Sequence, residues 1–151
     1  MIRVVIDTSV LVSAVISPTG PNAQLLDFIA SKQIRPYITD ALLDEYHLVF
    51  DYERLKHLDR RRIARLRGLL QRAGIQVKSG GRLKLSSHEE DNLVYECALA
   101  AKADYIVTEN ARHFKNLTRS PRSSMPGSSS SSWKPAAPNS PPHSLHPTAV
   151  R

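Results

Sequence analysis

Three acidic residues lie where an α/β fold would bring their carboxylates together: Asp7, Glu45 and Asp91. Asp7 directly follows the β-branched run 4–6, which is typical of a buried parallel strand, and open α/β sheets bind ligands at the carboxyl ends of such strands. Glu45 and Asp91 lie on predicted helices that follow strands. Converging carboxylates repel one another unless a hard cation neutralises them, so the set predicts a Mg²⁺ or Mn²⁺ site. Such a site suits the attack of water on a phosphodiester.

Each acid also has a purely structural interpretation. Asp7 or Ser9 could cap the helix that begins near Val10. Glu45 could be a solvated residue in the middle of its helix, and Asp91 could complement the dipole of its helix from the first turn. These alternatives stay open for each residue alone, whereas the three acids together favour the metal site.

The elements that would position the acids alternate between short apolar runs and segments of helical period, which predicts an α/β fold. We expect strands at 2–6, 35–39, 75–78 and 104–108. We expect helices at 9–16, from Pro21, from Thr39 or Asp40 to Phe50, through the basic segment to Gly74, and at 88–101. Ser87 and Glu90 fit a capping box at the start of the last helix. In the basic segment, an amphipathic stripe at helical spacing contains Leu55, Leu58, Arg62, Leu66, Leu69, Leu70 and Ala73, with Arg62 as its polar exception.

Composition limits the class of protein. A chain of 151 residues with 41% apolar residues allows one domain with a real core. It has neither a run of about 20 apolar residues nor a signal-peptide pattern, so we expect a cytoplasmic protein without a membrane partner. Cys97 is the single cysteine, which excludes an intrachain disulfide, and its apolar surroundings predict a core position.

Charge is distributed unevenly along the chain, whose formal net charge is +7. Lysines and arginines cluster between Arg54 and Arg72, where they suit either an RNA phosphate backbone or a solvated helix face. Residues 119–151 hold ten serines, seven prolines and no acid. We therefore predict a folded domain over residues 1–118 and a disordered tail over 119–151.

Four segments in this order resemble the PIN domain family, and within it the VapC-like toxin components of prokaryotic toxin–antitoxin systems. They are Val5-Ile6-Asp7-Thr8-Ser9-Val10-Leu11-Val12-Ser13-Ala14, Leu42-Leu43-Asp44-Glu45-Tyr46, Glu90-Asp91-Asn92-Leu93-Val94-Tyr95-Glu96-Cys97-Ala98-Leu99-Ala100 and Ala103-Asp104-Tyr105-Ile106-Val107-Thr108-Glu109-Asn110. The resemblance covers roughly residues 2–117. It implies a three-layer α/β/α fold with a central parallel sheet.

The resemblance also implies a function and a site. The expected activity is Mg²⁺- or Mn²⁺-dependent cleavage of RNA by a toxin, with a cognate antitoxin protein as partner and a homodimer as the common assembly. Asp7, Glu45 and Asp91 match the family's acids and are the expected catalytic and metal-binding residues. Ser9 matches an accessory position from which its hydroxyl would steady Asp7.

The sequence departs from the family pattern at two places. After the last predicted strand the family often has an aspartate, whereas this chain has Asn110 preceded by Glu109, which makes both accessory candidates. Family members also continue beyond Lys115 into a further strand and a final helix, whereas here the Ser/Pro-rich tail begins. The sequence thus leaves open whether the C-terminal strand and helix are missing. Both departures suit an alternative function, a catalytically impaired PIN relic that binds RNA or protein.

Overall fold

The computed structural model describes residues 1–80 and 89–109 in full, and the backbone of 122–124. The strands within these ranges are β1 (Ile2–Ile6), β2 (Ile34–Ile38), β3 (Ile75–Gln76), β4 (Tyr105–Val107) and β5 (Arg122–Ser124). The helices are α1 (Thr8–Ile16), α2 (Pro21–Ala30), α3 (Asp40–Phe50), α4 (Arg60–Ala73) and α5 (Glu89–Ala101), with a short 3-10 turn at Glu53–Leu55. None of these helices is both long and apolar enough to cross a membrane.

The described strands form one parallel sheet in the order β3-β2-β1-β4-β5, flanked by the helices, as in a PIN-like α/β/α fold. β1 is the central strand, and Val4, Val5 and Ile6 are almost fully buried, as the β-branched run predicts. The amide of Asp7 donates to the carbonyl oxygen of Val107 at 2.8 Å. This bond continues the β1–β4 pairing one residue beyond the strand and fixes the Asp7 backbone at the carboxyl end of the sheet.

The helices pack against the sheet through the apolar faces that their periodicity predicts. α5 packs against β1, β2 and β4, whereas α2 and α4 pack against β2. Cys97 is fully buried on α5, and its thiol donates to the carbonyl oxygen of Tyr37 at 3.3 Å. Burial raises the pKa of this thiol to about 12, so Cys97 is a core residue, as predicted, with little thiolate character.

α4 differs from the expected helix in its inward face. Leu66 and Leu70 are buried and Leu69 packs against the core, as the stripe predicts. At the start of the helix, however, the buried residue is Ile63, which the stripe omits, and the polar exception Arg62 is exposed. The reason is that the basic segment is not one continuous helix, because the 3-10 turn ends at Leu55. A separate helix then begins after Asp59, whose carboxylate caps it by accepting a hydrogen bond from the Arg61 amide. Apolar residues before this break cannot set the helical phase of residues after it.

β5 lies in the segment for which the sequence predicts a disordered tail, and it supplies an edge strand whose presence the sequence leaves open. It pairs in parallel with β4, with Tyr105 opposite Arg122 and Val107 opposite Ser124. Such pairing uses only backbone groups, which is why apolar patterning did not reveal it. The rest of the tail, the segment expected to hold a final helix, and the capping residue Ser87 lie outside the described residues.

Candidate active site

Asp7 occupies the position before α1 that a capping residue would take, but its side chain makes no capping hydrogen bond. Its Oδ2 atom instead accepts hydrogen bonds from the hydroxyls of Ser9 at 3.0 Å and Thr108 at 2.6 Å. Ser9 therefore contacts Asp7 as expected, and the helix-capping interpretation of Asp7 was wrong. Two donors on one oxygen restrict the rotation of the carboxyl group, and no residue of the described ranges donates to Oδ1.

A cavity of about 360 Å³ lies at the carboxyl end of the sheet and contains both Asp7 and Asp91. Asp91 is only 7% exposed in the first turn of α5. The cavity is lined by Asp7, Thr8, Ser9, Val12, Ser13, Val49, Tyr52, Arg54, Leu55, Glu90, Asp91 and Glu109. Four carboxylates thus share one concave surface, at the edge where the sequence places a site.

Glu109 reaches this cavity from the end of β4. Its Oε1 atom accepts a hydrogen bond of 2.7 Å from the side-chain amide of Asn22, a residue of α2 that is 7% exposed. This contact holds the Glu109 carboxylate against the wall of the cavity. The other accessory candidate, Asn110, lies outside the described residues.

Glu45 lies beside the cavity rather than on its surface. It belongs to α3, and it is absent from the lining of the cavity that holds Asp7 and Asp91. Its Oε1 atom is buried and has no hydrogen-bond partner in the described part of the chain. Burial raises the pKa of Glu45, and the charge of Glu90 raises it further. Because Glu90 lines the cavity, it connects Glu45 electrostatically to the other acids.

The donor chemistry of this region fits a hard divalent cation. Carboxylate oxygens are the ligands that Mg²⁺ and Mn²⁺ prefer, and the buried Glu45 Oε1 is an acceptor that lacks a protein donor. Within residues 1–80 and 89–109, however, no three Asp, Glu, His or Cys side chains are placed to hold one ion together. The structure therefore brings Asp7 and Asp91 to one cavity and does not place Glu45 on its surface, although the charge of the cavity residue Glu90 raises the pKa of Glu45.

The sequence did not predict that four further residues, Thr108, Glu90, Tyr52 and Arg54, belong to the site. Thr108 could have been found, because it follows β4 as Asp7 follows β1, and neighbouring parallel strands place such residues side by side. For Glu90, the sequence pattern predicts a role in a helix cap. Tyr52 and Arg54 come from the connection after α3, and no spacing rule places a connection of this kind over a cavity.

The model of one protein family, described as PIN domain, matches residues 3–112. That range contains the three predicted acids, β1 from its second residue onward, β2 to β4 and the helices between them. No curated protein matches the chain significantly.

Proposed function

The chain belongs to the PIN domain family, and from this premise we propose that it is a Mg²⁺- or Mn²⁺-dependent endoribonuclease, the toxin of a type II toxin–antitoxin system. PIN domains are generally nucleases, and those nucleases typically use divalent metals. A nuclease-type function thus follows from membership. The choice of RNA, the requirement of this chain for a metal and its role as a toxin are the parts proposed here.

One observation carries the proposal: Asp7 and Asp91 line the same cavity at the carboxyl end of the sheet. Asp7 follows β1 and Asp91 lies in α5, so their proximity is a product of the fold rather than of sequence spacing. Asp7 is also not engaged in capping α1. Both features favour a chemical role for these carboxylates over a structural one.

The residues of the site have distinct proposed roles. Asp7 and Asp91 would hold the cation, which when bound supplies electrostatic stabilisation of charge on the phosphodiester. Ser9 and Thr108 keep Asp7 Oδ2 in place, which leaves the lone pairs of Oδ1 for a ligand. Glu45 is suited to take up a proton at its buried Oε1, because burial and Glu90 favour its protonated form.

Two protein partners belong to the proposal through the family resemblance. A cognate antitoxin would neutralise the toxin by covering the acidic cavity, and two copies of the chain would form a homodimer. The cavity is concave and carries four carboxylates beside one arginine among its described lining residues, so a cationic antitoxin segment would complement it.

The test is cleavage by the purified full-length chain of single-stranded RNA and of DNA with the same sequence. Reactions contain Mg²⁺, Mn²⁺, EDTA, or EDTA followed by excess Mg²⁺. We expect cuts within the RNA in either metal, no cuts in EDTA, and recovery when Mg²⁺ is restored. Absence of cleavage by protein with a folded circular-dichroism spectrum would contradict the proposal and favour the non-catalytic PIN relic.

A further inference from the structure

The connection between α3 and α4 brings an aromatic ring and a guanidinium to the acidic cavity. Tyr52 precedes the 3-10 turn, and the Arg54 Cζ atom lies 5.5 Å from the centroid of its ring. Both side chains line the cavity that contains Asp7 and Asp91. The distance is within the range of a cation–π contact, so the pair forms one composite surface.

The backbone holds this surface in place. The amide of Tyr52 donates to the Val49 carbonyl at 3.2 Å, and the amide of Leu55 donates to the Tyr52 carbonyl at 2.9 Å. Leu55 is only 8% exposed and anchors the turn in the protein interior. The Tyr52–Arg54 pair therefore sits on an ordered turn and not on a free loop.

Arg54 differs from three other arginines of the basic segment, whose side chains contact carbonyl or carboxylate oxygens of the protein. Arg60 donates to the Phe50 carbonyl, Arg62 pairs with Asp59 at 3.5 Å, and Arg67 pairs with Asp51 at 3.3 Å. Arg54 is exposed, and no carboxylate of the described residues lies within ion-pair distance of it, although it shares a cavity with four acids. Its donors remain accessible to a ligand.

We propose that Tyr52 and Arg54 form a docking clamp for single-stranded RNA, in which Tyr52 stacks on an unpaired base and Arg54 binds an adjacent phosphate. An aromatic ring gives sequence-tolerant stacking on bases, and a guanidinium gives paired hydrogen bonds to phosphate oxygens. A cation at this position also offsets the repulsion between a polyanion and an acid-lined cavity. This inference rests on the proposed function and adds to it two positioning residues, Tyr52 and Arg54, that would hold the RNA beside the acidic cavity.

The test is binding of a fluorescent single-stranded RNA to the full-length chain, measured by anisotropy over a range of salt concentrations, with Asp7→Asn in every protein to prevent cleavage. We expect Arg54→Gln to raise Kd about tenfold, and to lower the salt slope by about 1 because one phosphate contact is lost. Tyr52→Leu should weaken binding by about fivefold or more, whereas Tyr52→Phe should preserve it. Arg65→Gln is the matched control, because Arg65 is exposed on α4 outside the cavity.

The outcomes separate the clamp from the nuclease proposal when cleavage by the wild-type Asp7 protein is measured beside them. Equal weakening by Arg54→Gln and Arg65→Gln would overturn the clamp, since only the total charge would then matter. Cleavage of RNA with a KM unchanged by Arg54→Gln would overturn the clamp and leave the nuclease intact. Binding that requires Arg54 and Tyr52 without any cleavage would keep the clamp and overturn the nuclease. No binding by the folded protein would overturn the clamp directly.

Discussion

At the scale of single residues, the hydrogen bonds of Asp7 decide between its structural and chemical roles. A carboxylate before a helix usually accepts from the helix amides, whereas this one accepts from a hydroxyl of α1 and a hydroxyl beyond β4. The second donor, Thr108, is fully buried, whereas Asp7 is half-buried, so the contact joins the end of β4 in the interior to a carboxylate on the cavity. The orientation of Asp7 therefore depends on the correct pairing of β1 with β4.

Glu45 allows a test by pH. Burial and the charge of Glu90 raise its pKa, so the folded protein binds a proton at Glu45 more tightly than the unfolded chain does. The corresponding stabilisation is present below the unfolded-state pKa and is lost as pH rises through the folded-state pKa. We expect Glu45→Gln to increase the free energy of unfolding at neutral pH by less than about 1 kcal/mol, since Glu45 is only partly buried. The difference should vanish in acid, as measured by urea unfolding.

The control for this prediction is Asp44→Asn, which removes an exposed acid from the same helix. It removes one negative charge from α3 at a position other than Glu45, and it should not reproduce the stabilisation expected of Glu45→Gln at neutral pH. A Glu45→Gln protein that is less stable than wild type at neutral pH would show that the charged form of Glu45 is stabilising, opposite to the direction of its pKa.

At the scale of elements, α3 is attached to the central strand immediately before Asp7. The hydroxyl of Tyr46, which is 3% exposed, donates to the carbonyl oxygen of Ile6. The pairing of β1 with β2 ends at Val4 and Pro36, two residues before Ile6. The Tyr46 hydroxyl therefore donates to a β1 carbonyl that lies beyond the residues paired with β2. Burial raises the pKa of Tyr46 well above its ordinary value, which keeps the hydroxyl protonated as a donor.

Removing this hydroxyl should destabilise the fold. We expect Tyr46→Phe to lower the free energy of unfolding by about 1–3 kcal/mol, because the buried Ile6 carbonyl loses its donor. Urea unfolding measures the change. Tyr52→Phe is the control, since Tyr52 has no hydroxyl hydrogen bond among the described residues and should change stability little. Equal effects of the two substitutions would contradict the assigned role of Tyr46.

Periodicity predicted the elements well where each apolar run is continuous. β1 has its predicted bounds, and Thr39 caps α3 by accepting from the Leu42 amide at 3.2 Å. The same reasoning predicted most of the inward face of α4 but missed Ile63 near its start, because a 3-10 turn interrupts the basic segment. For the site, strand ends and helix starts correctly predicted that Asp7 and Asp91 lie close together. They could not predict that Arg54 lies there too, because its position depends on an irregular connection.

The basic segment shows a further limit of charge patterning. Phosphate binding and simple solvation were the alternatives from sequence, yet two arginines of α4 bond to the end of α3. Arg60 donates to the Phe50 carbonyl at 3.1 Å, and Arg67 donates to the His47 carbonyl at 3.0 Å. Carbonyls in the last turn of a helix lack intrahelical donors, and cations near them are favourable. This role depends on helix packing, which a list of charges does not contain.

At the scale of the whole molecule, the short strand β5 joins a compositionally distinct tail to the sheet. Deleting residues 119–151 removes β5 and leaves the backbone edge of β4 unpaired. We expect this deletion to lower Tm by about 4 °C or more, and to increase aggregation, as measured by thermal unfolding and size-exclusion chromatography. Deleting only 128–151 spares β5 and should leave both properties unchanged. Equal Tm values for the two shortened chains would show that β5 contributes nothing to stability.

The central claim is that Asp7 and Asp91 form one metal-dependent catalytic site. The most direct measurement is single-turnover cleavage of single-stranded RNA in Mg²⁺ by wild type, Asp7→Asn and Asp91→Asn. Glu89→Gln is the matched control, because Glu89 is an exposed acid in the same first turn of α5 and lies outside the cavity. We predict losses of about 100-fold or more for both Asp variants at near wild-type Tm, and a rate within about twofold of wild type for Glu89→Gln. Asp variants that remain folded and cleave as fast as Glu89→Gln would contradict the account.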